Sequence, residues 1–210
     1  MRKHYSTFIF SILLLIVVSG SGLAQRVLIG PRITGNLNIY NQKGLTGSYN
    51  GIGIGIGGTV DALFSQHIGL MGNLTVFDMR NFSNSTTANN VTTERSLSLS
   101  YVTLDPMFKA EFSGFYMVLG PSFGVKINSS GEVNQTQTGQ APVTNPLNLD
   151  TEAIRFDIAV GIGYTFTLSE GMFMGTDFMA HIPLSDTYNF PGLSNSIFSL
   201  KLGVSLKFKI

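Results

Sequence analysis

The chain has 210 residues and no cysteine. This excludes a disulfide framework and any lipid-attachable cysteine near the amino terminus. Tryptophan is also absent, so Phe and Tyr must supply any interfacial aromatic girdle. Charge is scarce. Asp, Glu, Lys and Arg make up 12% of the residues, about half the ~25% of an ordinary soluble domain. Neither sign dominates, with 13 Lys and Arg against 12 Asp and Glu, so the balance gives no sign of a nucleic-acid partner. Long apolar runs are missing beyond residue 25, which leaves no candidate for a membrane-crossing helix there.

The one apolar run lies in "MRKHYSTFIFSILLLIVVSGSGLAQ". Basic Arg2 and Lys3, the stretch Phe8 to Val18 and small residues before Gln25 are the three parts of a secretory signal peptide, with cleavage expected after Ala24. The run is shorter than the roughly 20 residues of a spanning helix, and Ser19, Gly20, Ser21 and Gly22 follow it. Residues 1–24 are thus expected to be removed, leaving residues 25–210 as a single domain with 11 basic and 12 acidic side chains.

Within that domain the stretch "GIGIGIGGTV" reads two ways. Gly53, Gly55 and Gly58 have the G-x-G-x-x-G spacing of a dinucleotide loop, and Asp78 stands where a ribose-binding acid would be wanted. Such a loop needs a buried strand before it and a helix after it. Here a polar loop precedes the glycines, and a period of two runs straight through them: Ile52, Ile54, Ile56, Val60, Ala62 and Phe64 share a face. A strand with a glycine-lined inner wall, where opposite side chains can approach or water can sit, is the better reading.

The same alternation recurs in "RITGNLNIY", "IGLMGNLTVFDM", "SLSLSYVTLDPMFKAEF", "FYMVLGPSFGVKI", "IRFDIAVGIGYTFTL", "MFMGTDFMAHIPL" and "SIFSLKLGVSLKFKI". Parity shifts are expected near Phe77 and Asp78 and near Tyr101 and Val102, and a broken ladder at Pro106. Eight strands result. Long polar connections near 41–50, 81–95, 128–153 and 185–195 alternate with short ones near 65–67, 111–114 and 169–171. A greasy chain without helices, built of alternating strands with long and short connections, fits an all-β, eight-stranded antiparallel up-and-down transmembrane β-barrel. The long loops would be external and both mature termini periplasmic. Girdles are expected from Phe64, Phe108, Phe112, Phe115, Phe166, Phe173 and Phe208 at the periplasmic end and from Tyr40, Tyr49, Phe77 and Phe82 at the external end. The rival is a soluble barrel with an apolar pocket. Its outer Gly, Ser and Thr face would be dense in Lys and Glu, and it is not.

The pattern resembles the PorT-like small outer-membrane barrels, and more distantly the OmpX and OmpA-type eight-stranded barrels. The resemblance covers residues 25–210 and rests on "LAQ", on "VTLDPMFKAEF" followed by "FYMVLGPSFGV", on "RFDIAVGIGYTF" and on the ending "LGVSLKFKI". It implies contact with outer-membrane lipid and the barrel insertion machinery, and in some relatives a part in protein secretion. The chain departs from the common terminal aromatic by ending in Ile210, with Phe208 two places earlier.

Candidate chemistry lies in the lumen. Arg32, Asp61, Asp105, Lys109, Lys126, Arg155, Asp157, Asp177 and Lys201 should face inward and pair, with Arg32, Asp177 and Lys201 at similar depth. Such a network would plug the barrel or gate a narrow polar pore. A lipid-modifying enzyme would need a His beside an acid and a nucleophile, and spacing fixes neither beside His67 or His181. Asp150, Glu152 and Asp157 match no metal motif. The Asn-x-Ser/Thr triplets "NFS", "NST" and "NVT" read as polar loop composition. No enzyme activity and no cofactor are therefore expected. An eight-stranded barrel is just filled by its side chains, so binding an extracellular or envelope protein through the four long loops is the expected activity.

Overall fold

The structure is a computed structural model describing residues 25–42, 49–137, 139, 141–147, 150–188 and 194–210. The expected signal segment, residues 1–24, lies outside them. Nine strands follow in chain order: β1 Arg26–Gln42, β2 Tyr49–Leu63, β3 Ile68–Ala88, β4 Val91–Phe112, β5 Phe115–Gln137, β6 Val143–Pro146, β7 Ile154–Ser169, β8 Met172–Pro183 and β9 Asn195–Lys209. All pairings are antiparallel. Neighbours run β4-β3-β2-β1-β9-β8-β7-β5, and β4 also pairs with β5, so eight strands close into a ring. The short β6 is added to the end of β5.

Side-chain distribution is inside out relative to a soluble barrel. Ile33, Ile52, Phe108 and Leu202 are exposed, at 73% for Ile52 and Phe108, while Thr59, Asn73, Ser122 and the charged residues are buried in the lumen. The apolar face needs lipid to cover it. Short turns at residues 64–67, 113–114 and 170–171 gather at one end with both described termini, where the Ile210 amide donates to the Val27 carbonyl.

Three local irregularities fall where the sequence placed them. Register shifts between Ile56 and Gly57 on β2, opposite Thr75 and Asp78 on β3. It shifts again at Ser100/Tyr101 on β4. The β4–β5 ladder stops at Leu104–Phe123 and resumes at Phe108–Leu119, spanning Pro106, whose ring nitrogen has no proton to donate. The glycines of β2 have a different role from the one expected. A Cβ on Gly53 or Gly57 would strike the Met79 or Leu74 carbonyl of β3, so these glycines admit the neighbouring backbone rather than leaving an open inner wall.

Two expected loops are largely strand. Residues 81–95 continue β3 and β4 to a two-residue turn, Asn89–Asn90, with φ of 50° and 63°. Residues 128–137 continue β5, and 143–146 form β6. Beyond Phe82 both faces of these segments are wet, so alternation disappears while pairing persists; the Thr87 and Thr92 hydroxyls still meet at 3.0 Å. The external girdle is also corrected. Tyr40 and Phe82 point into the lumen, Tyr49 packs against them, and only Phe77 of the four is exposed on the outer face. The β3 bulge turns Phe82 inward, and Tyr40 shares the parity of Arg32.

Candidate functional site: the lumen

Alternation delivers each inward side chain, and closure of the ring decides which ones meet. Among the described residues, six cationic side chains and six carboxylates are buried in the lumen. Near the short-turn end, the Lys109 ammonium on β4 and the Lys207 ammonium on β9 both donate to Asp61 Oδ2 on β2, at 2.7 and 2.8 Å. Lys109 also lies 2.8 Å from Glu111, which Arg26 caps from the rim. The Tyr116 ring lies 4.3 Å from the Lys109 nitrogen and 5.5 Å from that of Lys207, offering both a cation–π face.

Beyond this cluster Met71, Met107, Met179, Val118 and Ala159 pack with Tyr116 into an apolar plug. Arg32 on β1 grips both oxygens of Asp177 on β8. Gly203 on β9 lies beneath this pair; a Cβ there would sit 2.5 Å from Asp177 Oδ1.

The second charged cluster is larger. Asp78 accepts from Arg80 Nη2 at 2.8 Å and from Lys201 Nζ at 2.8 Å, and Asn36 donates to its other oxygen at 2.7 Å. Asp157 is reached by Arg155 at 2.8 Å and by Arg80 at 3.8 Å. Asp105 accepts from the Ser122 hydroxyl at 2.6 Å. Asp78 and Asp157 are paired and hydrogen-bonded as buried ions must be, whereas Asp105, expected to pair as well, is buried with no cation at ion-pair distance among the described residues. Toward the long-loop mouth Tyr40, Phe82, Leu97, Leu99, Tyr101, Tyr188 and Ile197 pack into one buried cluster.

Of the expected set, Arg32 and Asp177 are brought together, Lys109 joins Asp61, and Arg155 joins Asp157. Lys201 turns to Asp78 instead of the Arg32–Asp177 pair. Lys126 departs from the network: half-buried at the mouth, it donates to the Thr151 carbonyl. Sequence reasoning missed Asp78, Arg80, Glu111 and Lys207 as lumen residues. The parity of Lys109 and Lys201 already pointed Glu111 and Lys207 inward, whereas Asp78 and Arg80 are readable only once β3 is continued past Met79 on the parity set by its bulge.

His67 sits in a short turn, its Nδ1 3.0 Å from the Glu111 carbonyl and its ring stacked on Phe112. His181 is buried 3.8 Å from Asp157 Oδ2, while its cross-strand neighbour Ser199 donates to Asn38 and accepts from Arg80. Asp150 and Glu152 are exposed, apart from the ion-paired Asp157. Among the described residues, no group of three or more His, Asp or Glu side chains converges as a metal site.

A profile of the family described as "Outer membrane protein beta-barrel domain" matches residues 10–208. The chain belongs to this family. It is an outer-membrane β-barrel of the bacterial envelope, and its short-turn end is accordingly the periplasmic one. Among solved structures it is similar to OprG from Pseudomonas aeruginosa, at 11% identity over 89% of this chain and 96% of that one, with a TM-score of 0.47. AlkL in DMPC lipid bilayers is 8% identical, with 88% of this chain and 90% of that one covered and a TM-score of 0.48. Ail of Yersinia pestis, in complex with the heparin analogue sucrose octasulfate, is 11% identical, with 88% and 100% covered and a TM-score of 0.43. No curated protein matches the chain.

Proposed function

We propose that this outer-membrane barrel is non-enzymatic and non-conducting, and that it binds an extracellular or envelope protein through its external segments 41–50, 81–95, 128–153 and 185–195. The observation that carries this reading is the filling of the lumen by two charged clusters, a methionine-rich plug and an aromatic cap. With the interior occupied, the parts of the chain free to act lie outside the lipid, and β3, β4 and β5 extend well into that space. A cleaved leader over residues 1–24, and insertion directed by the last strand with Phe208, accord with this role. The test is planar-bilayer recording on protein whose fold is verified by heat-modifiable gel mobility. A mobility shift without unitary conductance is expected; steady conductance would overturn the proposal.

The finer likeness to PorT-like barrels supports a second reading, an accessory role in protein secretion. It rests on the Pro106-containing strand followed at once by β5. Deleting the gene and assaying the extracellular proteome tests it, with loss of secreted cargo as the expected result.

A further inference from the structure

Tyr40, Phe82, Leu97, Leu99, Tyr101 and Ile197 form a cup at the external mouth, and Tyr188, from the segment between β8 and β9, fills it. Only 2% of Tyr188 is exposed. Its ring meets Tyr40 edge-on, with centroids 5.5 Å apart and planes at 84°, while Tyr40 stacks on Phe82 at 5.5 Å. Burial pushes the Tyr188 hydroxyl above its ordinary range, so the ring is held as a neutral phenol.

The backbone around Tyr188 docks as though it were an added strand. Tyr188 forms an antiparallel bridge with Thr151, and the Glu152 amide donates to the Thr187 carbonyl at 2.9 Å. On the other side the Asn195 side chain accepts from the Thr187 and Tyr188 amides, at 3.1 and 2.7 Å, and donates to the Tyr188 carbonyl at 3.0 Å. The segment's main chain is thus bonded on one edge to the Thr151–Glu152 backbone and on the other mainly to the Asn195 side chain, and its side chain fills one deep pocket. Main-chain bonds that give affinity and a pocket that gives specificity are the two components of strand-type peptide recognition. The chain therefore displays, in cis, the kind of ligand this mouth fits.

We propose that the cup is a docking site for an extended partner segment carrying a tyrosine or phenylalanine, which takes the place of Tyr188. This rests on the reading that the barrel binds a partner on its external face. Because Tyr188 is tethered, it competes at high effective concentration, and a partner must displace it.

The full chain in lipid nanodiscs tests this, with a labelled peptide of sequence Leu-Ser-Asp-Thr-Tyr, matching residues 184–188, followed by fluorescence anisotropy. The Tyr188→Ala barrel should bind it saturably and at least about ten-fold more tightly than the wild type, and the peptide with alanine for tyrosine should not bind. Tyr188→Leu fills the cup only in part and guards against a folding defect; it should bind more tightly than the wild type and less tightly than Tyr188→Ala. Absence of saturable binding in a variant that keeps its heat-modifiable mobility, or equal binding of the alanine peptide, would overturn the docking site. A non-conducting barrel that ignores the peptide overturns this site alone, whereas a conducting barrel overturns the external-face reading itself.

Discussion

Arg32 and Asp177 are joined across β1, β9 and β8, and glycine at position 203 leaves space for them. Removing one partner strands a buried charge, so Asp177→Ala should cost about 3–5 kcal/mol, whereas replacing both partners with Met and Leu should be near neutral. Urea titration of the refolded barrel in lipid vesicles measures both. Gly203→Ala forces the same pair apart and should cost about 1–3 kcal/mol by overpacking. At the mouth, Tyr188 has a folded-state pKa above its unfolded value of 10.0. Its neutral form contributes stability that is fully present below pH 10 and lost as the pH rises beyond it. Limited proteolysis should accordingly find the 184–188 segment intact at pH 8 and increasingly cleaved above pH 10. Which ions pair was only partly legible at this scale. Parity turns a residue inward, but the partner across the lumen depends on the stagger of the closed ring, which no local pattern encodes. Lys201 therefore meets Asp78 rather than Asp177.

The long hairpin of β3 and β4 ends in two asparagines with positive φ, the conformation that a two-residue type I′ turn requires. Its outer rungs pair Thr87 with Thr92 and Ala88 with Val91. Excising these four residues preserves the hydrogen-bonded type of rung, now Thr86–Thr93, next to Asn89–Asn90. The shortened protein should keep its heat-modifiable mobility, since the lipid-spanning rungs are untouched. Strand β7 was readable throughout, because one face meets lipid and the other the lumen. The outer two fifths of β5 were not: beyond Ile127 the residues Asn128–Gln137 meet water on both faces, and a polar strand then looks like a loop. The parity shift at Thr75/Asp78 was legible, but the alternation readable in the sequence ends at Met79, so Asp78 and Arg80 lie at or beyond its end and are not carried inward with it.

At the scale of the whole molecule, the fold class was legible because scarcity of charge, period-two alternation and the rhythm of long and short connections all pointed to one architecture. The rim of that architecture is uneven. Strand β4 has 22 residues and β8 has 12. At ~3.3 Å per residue, one side of the ring rises on the order of 30 Å further along the strand than the other. The mouth that holds Tyr188 is thus shaped like a seat with a high back. The back, built from β3 to β6, stands on one side of it, and the rungs of β8 end low on the other. A partner taking the place of Tyr188 would find β4 and β5 as a wall on one side, and proteins pressed against the outer face of that wall in a crowded membrane would not obstruct it.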